Sequence, residues 1–170
     1  MAEEVILRFD NVKFEYVEKK LVLDEACFCV RKGAKTTLMG QNGAGKSTIF
    51  KLIKGEIKPT KGDVFITNNA TIATALQVVD KQDLSLTIEE YFAKAFNSVP
   101  GNIKSQISKA MNAVDLTAPI DRKLDNLSGG QQARILLAFA LIQNPDILLL
   151  VEPTNNLDES GIAHLIEFLV

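Results

Sequence analysis

The chain has 170 residues, 46% hydrophobic and 24% charged, which suits one ordinary folded domain and excludes a disordered chain. Its net charge of -2 argues against a broad electrostatic grip on nucleic acid. The acidic start at Met1 to Glu4 is not a secretory leader, and no apolar run is long enough to cross a bilayer. We therefore expect a cytoplasmic protein without direct membrane insertion.

The first thirty residues predict two strands. Val5 to Tyr16 is rich in β-branched and aromatic residues, and Leu21 to Val30 is a second extended run. Cys27 and Cys29 lie two apart on one face of that second run. Because we expect no leader, this pair indicates two small buried apolar side chains rather than a disulfide or a metal site.

A glycine-rich loop follows a short apolar run, Thr36 to Met39, which predicts a strand. The loop matches the pattern G-x-x-x-x-G-K-[ST] completely, and a helix predicted from Ser47 to Lys54 follows it and ends at Gly55. Glycines let several backbone amides point at one anion, and the helix start adds its positive dipole end. This pattern predicts phosphate binding by Gly40, Asn42, Gly43, Gly45, Lys46, Ser47 and Thr48.

The middle of the chain predicts a turn, a strand and then helices. Pro59 and Gly62 indicate a turn before a strand from Val64 to Thr67. The stretch from Leu84 to Leu124 is helical in character and opens with Thr87-Ile88-Glu89-Glu90, which is a capping box. The apolar stripe of the next helix comprises Ile103, Ile107, Ala110, Met111 and Val114.

The last third predicts a helix, a strand and a helix. Leu127 to Gln131 precedes an apolar helical run from Ala133 to Ile142, Ile147 to Leu150 is a buried strand, and Gly161 to Val170 is helical. The fold class is therefore α/β. We expect one domain over 1–170 with a mixed sheet core, an N-terminal antiparallel β part and a small helical insert at about 84–126.

The phosphate loop alone leaves kinases, GTPases and many ATPases open. The stretch Leu127-Ser128-Gly129-Gly130-Gln131 resembles the signature of ATP-binding cassette (ABC) ATPases, a family of P-loop NTPases. Ile147 to Leu150 with the following Glu152 to Asp158 is similar to that family's Walker B strand and D-loop. The signature has no use in a small-molecule kinase, so the resemblance disfavours that reading.

The signature also has a local structural explanation, because Ser128 and Gln131 are spaced as a capping box that starts a helix. The two readings are compatible, since such a helix start presents bare amides to an anion. In the family that anion is the γ-phosphate of ATP held by a partner's phosphate loop. The resemblance therefore implies ATP binding by Ser128, Gly129, Gly130 and Gln131, and a second ABC cassette as partner, in a homodimer or as a tandem domain.

The resemblance also implies single-residue roles. Tyr16 matches the aromatic that stacks on adenine, although it could instead be a strand-edge core residue. Gln77 and Ser47 match residues that contact Mg²⁺, and Glu152 matches the carboxylate that activates water. Asp158 matches the D-loop acid that meets the nucleotide at the dimer seam. The cofactors implied are ATP and Mg²⁺.

The turn from Glu152 to Asp158 looks most like the ABC-F branch, whose members act on the ribosome rather than pump solutes. Many members have histidine where this chain has Asn156. Some transporter cassettes carry similar turns, so a ribosomal partner and a transporter membrane subunit both remain open.

Two departures from the family pattern concern catalysis. Val151 stands where the family has an aspartate that orders magnesium, and valine has no oxygen to offer. The family's switch histidine is not matched, because His164 lies in the last predicted helix, and we expect a chain that is incomplete at the C-terminus. These departures predict impaired hydrolysis, with a non-catalytic ATP-binding and dimerisation module as the alternative function.

Overall fold

The computed structural model describes residues 4–16, 20–154 and 159–169. The chain forms two compact units, Met1–Thr71 and Ile72–Val170. Each unit contains both helices and strands, and the α/β class predicted from the sequence is confirmed. That the chain is one domain with an insert at about 84–126 stays a prediction.

The first unit is built on a three-stranded antiparallel sheet in the order β2-β1-β3. Phe9 and Val12 of the central strand are buried and belong to the core of this unit. The predicted antiparallel β part is thus confirmed. Its elements are β1 (Val5–Tyr16), β2 (Lys20–Arg31), α1 (Lys46–Ile53) and β3 (Lys61–Ile66).

The strand predicted at Thr36 to Met39 is wrong. This run has no regular secondary structure, and the Met39 side chain is 86% exposed. An apolar run satisfies its backbone groups as a strand only where a neighbouring strand supplies partners. Composition alone carries no information about that neighbour, so the local pattern was not sufficient to predict a strand.

The prediction that Cys27 and Cys29 are buried is also wrong, and both are exposed free thiols. Phe28 lies between them and stacks on Phe9 with ring centroids 4.4 Å apart. Because side chains alternate along a strand, that stacking turns the two cysteines to the outer face of the sheet. The same alternation puts them on one face, as predicted.

Gly62 lies inside β3 rather than in the predicted turn before it. Its φ is +75°, and a Cβ at this position would lie 2.2 Å from the carbonyl oxygen of Asn11. Asn11 is itself left-handed, with φ 50°, where the β1–β3 register shifts between Asp10 and Lys13. A bulge in β1 therefore presses on β3 at a point that only glycine fits.

Replacing Gly62 with alanine is expected to lower the free energy of unfolding by about 3 kcal/mol, from backbone strain and a clash with main chain. The matched control is Gly101→Ala, where φ is ordinary and nothing lies within 4 Å of the added Cβ. Its effect should stay within about 1 kcal/mol. Urea unfolding followed by circular dichroism gives both values, and equal values for the two variants would contradict the bulge argument.

The second unit combines helices with a two-stranded parallel sheet, in which β4 pairs with β5. The sequence did not predict β4, because two of its four residues are alanine, a weak strand former. The other elements match the predictions closely. The unit as a whole comprises β4 (Ile72–Ala75), α2 (Ile88–Ala93), α3 (Ile103–Ala113), α4 (Gly129–Ile142), β5 (Ile147–Leu150) and α5 (Glu159–Leu169).

The predicted capping box at α2 is present. The Thr87 hydroxyl accepts a hydrogen bond from the Glu90 backbone N–H at 3.2 Å. The Glu90 carboxylate accepts one from the Thr87 backbone N–H at 2.8 Å. These bonds from the Thr87 backbone and hydroxyl hold the pKa of Glu90 below its usual 4.5. The stabilisation from this carboxylate is therefore present above its ordinary pKa and is lost as the pH falls through the lowered value.

The apolar stripe predicted for α3 is buried throughout and joins α2 and α4 in one core. Lys94 crosses from the end of α2 to Asp83, with Nζ and Oδ2 2.5 Å apart. Among the described residues, no helix combines the length and apolar character that crossing a bilayer requires.

Candidate functional site

The predicted phosphate loop has the backbone that anion binding needs. Gly43 and Gly45 both have positive φ, 83° and 93°, and Gly45 is the residue from which α1 begins. Lys46 folds back over the loop, and its Nζ donates to the carbonyl oxygens of Gly40 at 2.6 Å and Gln41 at 3.0 Å. The ammonium group therefore lies over the loop, beside the amides that start the helix.

Gly45 is required here for space as well as for its dihedral angle. A Cβ on Gly45 would lie 2.8 Å from Cγ1 of Val22 in β2. The loop is thereby pressed against the sheet, while Asn42 and Ser47 remain exposed to solvent. This arrangement leaves the polar side of the loop open to a ligand.

Tyr16, the last residue of β1, lies beside the start of α1. Its hydroxyl is 3.3 Å from the Thr48 hydroxyl, and its ring meets Phe14 edge to face at 5.0 Å. The Tyr16 side chain is 43% exposed, so its ring presents a free surface and is not the core aromatic that the sequence left open. A flat base stacks favourably on such a ring.

In the second unit, Gln77 and Glu152 come together although they are 75 positions apart. Gln77 follows β4 and Glu152 follows β5, and the Gln77 amide donates to Glu152 Oε2 at 3.0 Å. The parallel pairing of β4 with β5 explains this contact, because parallel strands end at the same edge of a sheet. Glu152 also has φ 46°, a left-handed conformation that non-glycine residues adopt at a cost.

These two polar residues line a small hollow whose other walls are apolar. Val151 is half-buried within it. The remaining lining residues are Ala75, Leu76, Ala133, Leu137 and Pro153.

The predicted signature forms the N-terminus of α4. Ser128 caps the helix by accepting the Gln131 amide at 3.3 Å, and Gln131 accepts the Ser128 amide at 3.0 Å. Gly129 is exposed and has nothing within 4 Å of its absent Cβ. With Gly130 following, this helix start presents amides without covering side chains, which is a geometry suited to an anion.

The donor atoms available to magnesium are few. Within the part of the chain that the structure describes, no three His, Cys, Asp or Glu side chains are grouped as metal ligands. In the first unit Ser47 offers a hydroxyl oxygen, and in the second unit Gln77 offers an amide oxygen while Val151 offers none. Since Mg²⁺ prefers carboxylate oxygens and an octahedral shell, neither of these sets fits a magnesium ion by itself.

Asp158 lies outside the described residues. His164 lies within α5, as predicted. Sequence patterns did not identify the approach of Val22 to Gly45 or the hydroxyl contact between Tyr16 and Thr48. No local signal could have revealed them, because each joins residues far apart in the chain.

Comparison with known proteins places this geometry in context. Residues 23–155 match the family model described as "ABC transporter". The chain is 36% identical over 154 residues to the zinc import ATP-binding protein ZnuC of Rickettsia bellii, covering 90% of this chain and 64% of that protein. It is 31% identical over 168 residues to Protein GCN20 of Saccharomyces cerevisiae, covering 96% of this chain and 22% of that protein.

Solved structures agree with the fold. The chain superposes with a TM-score of 0.84 on cbiO1 of Clostridium perfringens, part of the ABC transporter complex cbiONQ, at 26% identity over 99% of this chain and 73% of that one. The ATP-binding cassette MJ0796, a dimer in a post-hydrolysis state with ADP and Pi, gives a TM-score of 0.81 at 25% identity over 96% of this chain and 81% of that one. The chain is thus shorter than these proteins, and it spans less than two thirds of the zinc import protein.

Proposed function

We propose that this chain, which belongs to the ABC transporter ATP-binding domain family, binds ATP through its first unit and hydrolyses it slowly if at all. The observation that carries the proposal is the glycine loop ending in Lys46, whose ammonium already lies over the loop carbonyls. An arriving triphosphate replaces those carbonyls as the acceptor. Charge-assisted hydrogen bonds of this kind are about twice as strong as neutral ones.

The proposed nucleotide contacts are of two kinds, those to the phosphates and the one to the adenine base. Lys46 neutralises the outer phosphates, while the amides between Gly40 and Thr48 supply hydrogen bonds to the phosphate oxygens. Tyr16 presents its exposed ring to the adenine base. The full set proposed for ATP in this unit is Tyr16, Gly40, Asn42, Gly43, Gly45, Lys46, Ser47 and Thr48.

The proposed hydrolytic group is Glu152, which orients and deprotonates the attacking water. Gln77 holds the carboxylate through the 3.0 Å hydrogen bond and fixes its direction. Magnesium, when bound, would supply neutralisation of charge on the transferred phosphoryl group. Because the residues present fit that ion poorly, we propose turnover well below that of a cassette with an acid at position 151.

The proposed partner is a second cassette. The open helix start at Ser128, Gly129, Gly130 and Gln131 caps α4 and leaves backbone amides that suit the γ-phosphate on another copy. The dimeric state of MJ0796 with ADP and Pi supports this arrangement. Asp158 is proposed to join the same seam.

The test is the sedimentation of the full chain with and without ATP. We expect ATP to increase the dimer fraction, and Ser128→Arg to abolish that increase, because a bulky cation then fills the phosphate position. The matched control is Ser105→Arg in α3, a serine outside the signature, which should leave the ATP response intact. A chain that binds ATP but stays monomeric at all concentrations would contradict the dimer proposal.

A non-catalytic ATP-binding and dimerisation module is the second candidate, and Val151 is the observation that favours it. For the wider assembly, the import ATP-binding proteins among the relatives support a transporter membrane subunit as partner. The ABC-F branch and a ribosomal partner rest on the turn from Glu152 to Asp158 alone. The matched relatives do not single out that branch.

A further inference from the structure

The contact between Tyr16 and Thr48 joins the two ends of the proposed ATP site within the first unit. The two hydroxyl oxygens are 3.3 Å apart, although the residues lie 32 positions apart in the chain. Tyr16 is 43% exposed, whereas Thr48 is only 5% exposed. The exposed ring of Tyr16 is thus hydrogen-bonded, through its hydroxyl, to a buried hydroxyl at the start of α1.

Thr48 differs in this respect from Ser47, its neighbour in the first turn. Ser47 is exposed and open to a ligand, whereas the Thr48 side chain is directed into the unit. Buried hydroxyl groups are almost always hydrogen-bonded, and the Tyr16 hydroxyl is the side-chain partner that the structure gives Thr48. The Phe14 ring lies against the same ring at an interplanar angle of 89°, so Tyr16 is held both at its hydroxyl and by Phe14.

We infer that Thr48 is a positioning residue for adenine binding, because its hydroxyl fixes the Tyr16 ring in the place where the base stacks. The inference rests on the proposed function, since it concerns the same ATP site. It adds a link that the sequence did not suggest: the first turn of α1, which follows the phosphate loop, also holds the ring that receives the base.

A double-mutant cycle tests the coupling in the full chain. The variants are Tyr16→Phe, Thr48→Val and the pair together, with Thr48→Ser as the rescue because it keeps the hydroxyl. Titration calorimetry measures the affinity for ATP and for inorganic tripolyphosphate, which has no base to stack. Thermal melts confirm that each variant is folded.

We expect each single variant to weaken ATP binding by about three- to tenfold, the range for one lost neutral hydrogen bond. The double variant should be no weaker than the weaker single variant, since both remove the same bond. Tyr16→Phe should leave tripolyphosphate affinity unchanged, and Thr48→Ser should recover ATP affinity.

Two results would overturn the inference alone. One is an additive loss of ATP affinity in the double variant. The other is a loss of tripolyphosphate affinity, on adding Thr48→Val to Tyr16→Phe, that is as large as the loss of ATP affinity. Either would mean that Thr48 acts on the phosphates independently of the ring. A folded chain that takes up neither ligand would instead overturn the proposed function, and the inference with it.

Discussion

Replacing Lys46 with alanine is expected to weaken ATP binding by about 100-fold, which corresponds to about 2.8 kcal/mol. The ammonium of Lys46 lies over the loop, within 3.0 Å of two carbonyl oxygens, and it is the cation proposed to meet the phosphates. Its removal leaves the helix dipole and the loop amides to neutralise the triphosphate alone. Titration calorimetry with the full chain measures the loss.

The matched control for this prediction is Lys51→Ala. Lys51 lies in the last turn of the same helix and is exposed, so its removal changes net charge equally without touching the loop. We expect a change of less than about threefold, mostly from screened long-range attraction. Lys46→Arg should retain part of the affinity, because it keeps the charge but not the compact ammonium. Equal losses for Lys46→Ala and Lys51→Ala would show that the loop is not the phosphate site.

Replacing Val151 with aspartate is expected to make ATP binding depend on magnesium and to raise turnover by about tenfold or more. An aspartate at the end of β5 supplies a carboxylate, which neither Ser47 nor Gln77 has. A bound metal ion stabilises charge in the transition state. Val151 lines the hollow with Gln77 and Glu152, so the new carboxylate would lie beside the proposed hydrolytic group. ATP affinity with and without Mg²⁺, and phosphate release over time, are the two measurements.

Val151→Asn is the matched control, because asparagine has the shape of aspartate without its charge. We expect this variant to keep the weak magnesium dependence of the unmodified chain. Urea unfolding of both variants separates a metal effect from damage at the end of β5. The account fails at this point if the asparagine and aspartate variants respond to magnesium alike, or if the unmodified chain already turns over rapidly.

The sequence was informative where a local pattern determines a local structure. The capping boxes at Thr87 and Ser128 were predicted and found, because each is complete within four residues. The phosphate loop was recognised for the same reason, since its glycines and Lys46 are contiguous. A buried stripe at helical spacing identified α3 correctly.

Long-range pairing could not be predicted in this way. The strand expected at Thr36 to Met39 failed, and β4 was missed, because strands are defined by their partners as much as by their residues. The outward direction of Cys27 depends on Phe28 stacking with Phe9, which no spacing rule contains. The hydrogen bond between Gln77 and Glu152 likewise needs β4 and β5 to lie side by side.

Residues with an unusual backbone conformation could be interpreted only from the structure. Gly62 was assigned to a turn, since glycine is common there, whereas its role is to admit the Asn11 carbonyl inside a strand. Glu152 adopts a positive φ that its residue type does not suggest. Such strained positions concentrate at functional sites and reveal themselves only in coordinates.

The central claim is that backbone amides and Lys46 hold a triphosphate with little help from a metal ion. Its most direct test is a calorimetric titration of the unmodified full chain with ATP, once in excess Mg²⁺ and once in a chelator. We predict saturable binding in both conditions, with affinities that agree within about threefold. Absence of binding by a folded sample, or binding that vanishes when the metal is removed, would contradict the claim.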